Sequence, residues 1–191
     1  PLVRANDRYI EWENGSNISV GLTYRGGTPR ILHVSEYGKV ATDNPKQAHE
    51  IKTGAIQAVP QTGFVFVEST AHGTSGEFCT MVRQAQSKPA ATLTSLYFRM
   101  HFFGWWMKPE YRLPNHLVII TKELQDYFAE VKAKDGITLD ADQMAWYAKK
   151  HDELGPDDVK QEFPTTAGEL FFSSIVGSYW KREMAKARKE G

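Results

Sequence analysis

The chain contains a single cysteine, Cys79. That excludes a disulfide framework or a thiolate zinc cluster built within it, and it points to a reducing, cytosolic compartment. There is no charge excess: Lys and Arg together number 23, and so do Asp and Glu. The bulk balance therefore argues neither for nor against a nucleic-acid partner. No apolar run is long enough to span a membrane, since the longest, "LYFRMHFFGWWM", is interrupted by Arg99 and His101. The first residues, "PLVRANDRY", lack the basic, apolar, small-residue order of a signal peptide. The chain has no G-x-x-x-x-G-K-[ST] loop, no G-x-S-x-G elbow, no H-E-x-x-H pair, no repeat and no low-complexity tract. It also starts without Met, so it is expected to be a fragment or a processed chain.

What is present suits a folded domain. Of 191 residues, 41% are hydrophobic and 12% aromatic, enough to fill a core. "YIEWENGSNISVGLTY" alternates around Asn14-Gly15. Asn-Gly between β-like flanks signals a hairpin, because both residues tolerate positive φ. This predicts paired strands over 9–13 and 17–23. "RGGTP" (25–29) is a turn. "RILHVS" (30–35) follows as a short buried strand, with His33 as a packing residue in it, and the apolar pattern breaks at Gly38.

Asn44 and Pro45 open a helix over 44–59. "FVFVEST" (64–70) is a second buried strand, "AHGTSG" (71–76) a loop, and "EFCTMVRQAQS" a helix. "ATLTSLYFRMHFF" (91–103) completes a strand–helix–strand–helix–strand order. Such alternation predicts a parallel α/β sheet with ligands at the carboxyl ends of its strands.

Beyond residue 103 the pattern becomes helical. Thr121 caps one helix and Gly136 stops it, while Asp140 and Gln143 form a capping box for the next. Residues 159–174 are expected to be extended, then briefly helical. A last helix is expected over 178–190. Its basic residues Lys181, Arg182, Lys186, Arg188 and Lys189 make either a solvated face or a surface for a phosphate backbone.

Glu36 is the first chemistry candidate. A carboxylate at the carboxyl tip of a parallel strand reaches into the ligand crevice, and Ser35 beside it offers a hydroxyl. Ser69 and Thr70 end the next strand. The glycine loop after them leads into a helix whose first backbone N–H groups suit an anion. The aromatic group Phe102, Phe103, Trp105, Trp106 and Tyr111 is either core or a base-stacking surface.

Taken in order, several stretches resemble the large terminase subunit of tailed bacteriophages and prophages. They are "NGSNISVGLTYRGGTPRILHVSEYGKVA", "VFVESTAHGTSGEF", "FGWWMKPEYRLP", "DADQMAWYAKK" and "QEFPTTAGELFF", spanning roughly 14 to 172. The resemblance implies a P-loop NTPase-like α/β core of the RecA type, incomplete at its N-terminal side, over 1–103. It implies a mostly helical lid subdomain over 104–176 and a lead into a nuclease over 177–191.

By the same resemblance, Glu36 is the catalytic carboxylate after the Walker B strand. Ser35 stands at the Mg²⁺-coordinating position, where the family has Asp. Ser69, Thr70 and Ala71 form the coupling motif that senses the phosphate. Arg25 belongs to the Arg-Gly turn before the strand. Mg²⁺ and ATP would serve the full-length protein. Double-stranded DNA, the portal protein and the small terminase subunit would be its partners, with assembly as a homo-oligomer on the portal. The setting would be the host bacterial cytoplasm, with no membrane. The Walker A loop would lie upstream of Pro1 and the RNase H-like nuclease acids downstream of Gly191, so the chain alone should bind ATP poorly and cut nothing. Rival readings are a helicase or other DNA-dependent ATPase, a non-catalytic binding module, and a hydrolase using Ser35 or Ser69.

Overall fold

The computed structural model describes residues 1–22, 26–72 and 75–171. The chain divides into two compact units, 1–68 and 69–191. It is a mixed α/β protein.

The first unit opens with an antiparallel meander of β1 (Leu2–Asn6), β2 (Tyr9–Trp12) and β3 (Asn17–Ser19). The hairpin forms where Asn14-Gly15 predicts it. Gly15 takes φ +78°, and the Asn14 side chain accepts the Ser16 N–H at 3.0 Å. Tyr9 pairs with Ser19 and Glu11 with Asn17. Strand β1 was not expected, because "LVRAN" is short and exposed throughout.

Next comes a parallel pair, β4 (Ile31–Val34) and β5 (Phe64–Val67), in register from Ile31–Phe64 to Val34–Val67. The crossover is helical: α1 (Tyr37–Asp43), then α2 (Pro45–Glu50), then a π-helical turn over Ile51–Ala55. Asn44 caps α2 as expected, accepting the Gln47 N–H at 3.2 Å. Helix α1 is a correction. Gly38 does not break the chain; it is a small buried residue in the helix beside Tyr37 and Ala41.

The strands also depart from expectation. Side chains alternate across a sheet, and only one face is covered. Val34, Tyr37, Ala41, Ala48, Ile51 and Ala55 are buried, whereas Ile31, Phe64 and Phe66 are 65%, 63% and 56% exposed. His33 falls on the open face, its side chain 59% exposed, so it is not a packing residue.

In the second unit, α3 (Glu77–Ser87) matches the predicted helix. The strand expected over 91–103 does not form. Residues Ala90–Thr92 make a short 3₁₀ turn, and irregular chain follows. Local hydrogen bonds take the backbone instead: Thr92 Oγ1–H donates to the Pro89 carbonyl at 2.8 Å and Tyr97 N–H to the Thr94 carbonyl at 3.1 Å.

Helices α4 (Lys122–Asp135), α5 (Ala141–Leu154) and α6 (Pro156–Glu162) build the main core with Trp105, Leu124, Phe128, Leu139, Tyr147, Ala148 and Val159. Thr121 caps α4, Gly136 ends it at φ +70°, and the Asp140–Gln143 capping box is complete. Helix α6 replaces the extended chain expected from 159. Pro156 at its first turn, with Asp157 and Asp158, favours a helix start there. The helix expected over 178–190 lies outside the described residues.

Candidate functional site

The tips of β4 and β5 bring the strongest polar group of the first unit together. The ladder continues past the strands: Glu68 N–H donates to the Val34 carbonyl at 3.0 Å, and Tyr37 N–H donates to the Glu68 carbonyl at 3.1 Å. Between those two bonds the chain turns sharply through Ser35 and Glu36. Glu36 sits in the left-handed region, φ +53° and ψ +36°, at the N-cap of α1, with no side-chain cap bond of its own. A non-glycine residue there costs about 1–2 kcal/mol. The turn is held by Tyr37, whose ring is fully buried and whose hydroxyl donates to the Ala48 carbonyl at 2.8 Å. An exposed carboxylate is thus fixed at the strand tip by a buried neighbour.

Ser35 Oγ–H donates to Glu68 Oε1 at 2.5 Å, and His33 Nε2 lies 3.5 Å from the same oxygen. This order disfavours a serine nucleophile. The hydroxyl donates to a carboxylate oxygen rather than to the imidazole, and the imidazole lies against that same oxygen. Among the described residues, no group of three or more His, Cys, Asp and Glu could by itself hold a metal ion.

Ser69, Thr70 and Ala71 belong to the second unit. Ser69 Oγ is buried without a hydrogen-bond partner, Ala71 is buried, and Thr70 is half-buried. His72 Nδ1 meets Gln161 Nε2 at 2.9 Å, tying the start of the loop to α6. Gly73, Thr74, Arg25, Lys181, Arg182, Lys186, Arg188 and Lys189 lie outside the described residues.

The second unit holds a polar network in its aromatic core. Trp105 Nε1–H donates to Thr165 Oγ1 and Trp106 Nε1–H to the Thr165 carbonyl, both at 3.0 Å. The Tyr127 hydroxyl donates to Glu169 Oε1 at 2.7 Å and lies 2.7 Å from Thr165 Oγ1. Glu169 Oε2 accepts the N–H groups of Thr165 and Thr166, at 2.6 and 3.2 Å. Gln143, itself buried, donates to the Trp106 carbonyl at 2.8 Å. Trp105 stacks on Trp146 and Tyr147, at centroid distances of 5.1 and 5.3 Å. The W-W, Q-x-x-W-Y and F-P-T-T stretches, far apart in sequence, therefore meet in one core. Trp105 is core, whereas Phe103 is 81% exposed.

Burial raises the Tyr127 phenol far above its ordinary range, with Tyr147 and Glu169 adding to the effect. Burial pushes Tyr147 up to about 12. The Gln143 N–H, and then Arg112, hold the Asp140 carboxyl below the usual range.

Sequence reasoning missed two participants. Glu68 was hidden because the second strand was expected to run on to Thr70; ending it at Val67 puts Glu68 where Ser35 stands on β4. Glu169 was legible in principle, since Thr166 and Glu169 have capping-box spacing.

No protein-family model, no curated protein and no solved structure matches the chain. Among the described residues, no helix is long and apolar enough to cross a membrane.

Proposed function

We propose that this chain is part of the ATP-driven motor of a large terminase subunit, which moves double-stranded viral DNA into a procapsid. The observation that carries the reading is Glu36. It is an exposed carboxylate locked in a left-handed turn at the carboxyl tip of a parallel strand, immediately after the hydroxyl of Ser35. Ligands of open parallel sheets bind at such tips. Strained non-glycine residues concentrate at functional sites.

In this reading Glu36 orients and deprotonates the water that attacks the terminal phosphate. Tyr37 keeps that carboxylate in place through its buried ring and its bond to Ala48. Ser35 stands at the metal position. The available donors are hard oxygens, which suits Mg²⁺, an ion that keeps several waters and takes one or two carboxylates together with substrate phosphates. Mg²⁺, when bound, would neutralise charge developing on the phosphates. Ser69, Thr70 and Ala71 would report phosphate release to the helical unit, where His72 is bonded to Gln161 on α6. The portal protein and the small terminase subunit would be partners of the assembled motor. Lys181, Arg182, Lys186 and Arg188 are offered as its contacts to the DNA backbone.

The test is DNA-stimulated ATP hydrolysis by the complete polypeptide that carries this chain. Glu36→Gln should lower kcat by about 10²–10⁴-fold while nucleotide binding persists. Unchanged turnover in that variant would sink the reading.

A second reading has its own observation. The uncovered face at Ile31, Phe64 and Phe66 suits a binding module whose sheet is completed by a partner. Such a module would be indifferent to Glu36→Gln.

A further inference from the structure

We infer that Glu68, and not Ser35 alone, supplies the negative charge of the metal position, with Ser35 as the hydroxyl that aims it. This rests on the ATPase reading of the strand tips. A lone serine hydroxyl is a neutral donor and acceptor. It gives little hold on a divalent cation that is already bound to phosphates and water. The structure places a carboxylate beside it from the neighbouring strand. The main chain of Glu68 is pinned on both sides, to Val34 and to Tyr37. Its position relative to the end of β4 is therefore set by the sheet.

Its side chain reaches Ser35 Oγ at 2.5 Å. The Ser35 proton goes to Oε1, so the serine lone pairs stay available to a metal-bound water. The His33 contact at 3.5 Å is also on Oε1, so neither contact uses Oε2. The Glu68 side chain is 51% exposed, accessible to a hydrated ion. The pair thus presents one negative charge and one hydroxyl, shared between two strands.

The rival account is a surface hydrogen bond that only adds stability. Paramagnetic broadening of amide signals separates the two, using Mn²⁺ in the presence of ATP on the complete polypeptide that carries this chain. Broadening should centre on Ser35, Glu36 and Glu68. Glu68→Gln keeps the size of the side chain and an acceptor for Ser35, but it should weaken Mn²⁺ binding by about 10–100-fold. The charge swap Ser35→Asp with Glu68→Ser should bind within a few-fold of the parent, because the charge is returned to the same place.

The inference is overturned if Glu68→Gln binds Mn²⁺ like the parent, if the swap does not restore binding, or if broadening in the parent is absent from the strand tips. If Glu36→Gln stops hydrolysis in the complete polypeptide while Glu68→Gln changes neither turnover nor Mn²⁺ binding, this inference fails alone. If Mn²⁺ is held at Glu68 but the complete polypeptide never hydrolyses ATP, the metal position stands and the motor reading fails.

Discussion

Trp105 and Phe66 are both large aromatic side chains, yet one is 5% exposed and the other 56%. The difference extends to their surroundings. Around Trp105, rings stack on rings, the indole N–H reaches Thr165, and Glu169 closes the network through Tyr127 and two backbone N–H groups. Around Phe66 there is a two-stranded parallel ladder with helices on one side only. Parallel sheets are normally covered on both faces, and two strands seldom suffice for stability. The helical unit is thus built as a finished core. The strand unit presents its chemistry where packing is thinnest.

The largest effect should come from the closed core. Trp105→Ala removes the ring, its stacking and its bond to Thr165, and should destabilise the helical unit by about 3–5 kcal/mol. Denaturant unfolding followed by circular dichroism measures it. A loss below about 1 kcal/mol would mean that this core is no better closed than the sheet.

Alkali sharpens the contrast by a second route. The Tyr147 phenol titrates at about 12 in the fold, against about 10 in an unfolded chain. A raised pKa contributes stability that is complete below pH 10 and is lost as pH rises through 12. The loss is about 2–3 kcal/mol. Tyr127 shifts in the same direction. Tyrosinate absorbance and helical signal should therefore change together in that window. The part of the phenolate signal that Tyr147→Phe removes, if it appeared near pH 10 with no loss of helix, would contradict the buried network.

The smallest effect has the opposite sign. Glu36→Gly removes the left-handed strain, but it loosens the unfolded chain. It should stabilise the strand unit by about 0.5 kcal/mol while abolishing the activity proposed for Glu36. Thermal unfolding of the variant beside the parent reads the first part. Destabilisation would show that the Glu36 side chain is a structural anchor.

Much of this was legible where the signal is local. The Asn14-Gly15 hairpin, the caps at Asn44, Thr121 and Asp140, and the glycine stop at 136 are written within a few residues of where they act. A cap bonds a backbone group three positions away, and no distant partner is needed. The misses have the opposite character. Gly38 looked like a breaker because its burial inside α1 depends on packing that sequence does not display. Residues 91–103 have the apolar content of a strand, but a strand requires a ladder partner, and local turns took the backbone first. The exposure of His33 follows from an uncovered face that neither strand reveals alone. Glu68 became visible only once β5 was seen to end at Val67 and to lie parallel to β4. The aromatic motifs were visible one by one, but their meeting around Thr165 was not.

The open face of β4 and β5 has a practical consequence in solution. Among the described residues no third strand joins β4 and β5, and the sheet edge lies beside Ile31, Phe64 and Phe66, a combination that invites edge-to-edge pairing between molecules. The formal net charge is zero at neutral pH, so no long-range repulsion keeps the molecules apart. Concentrated samples should scatter light increasingly with time and with temperature, and should clear when the pH is moved well away from neutrality. Purification yield, before any enzymology, will then depend on how that face is kept wet.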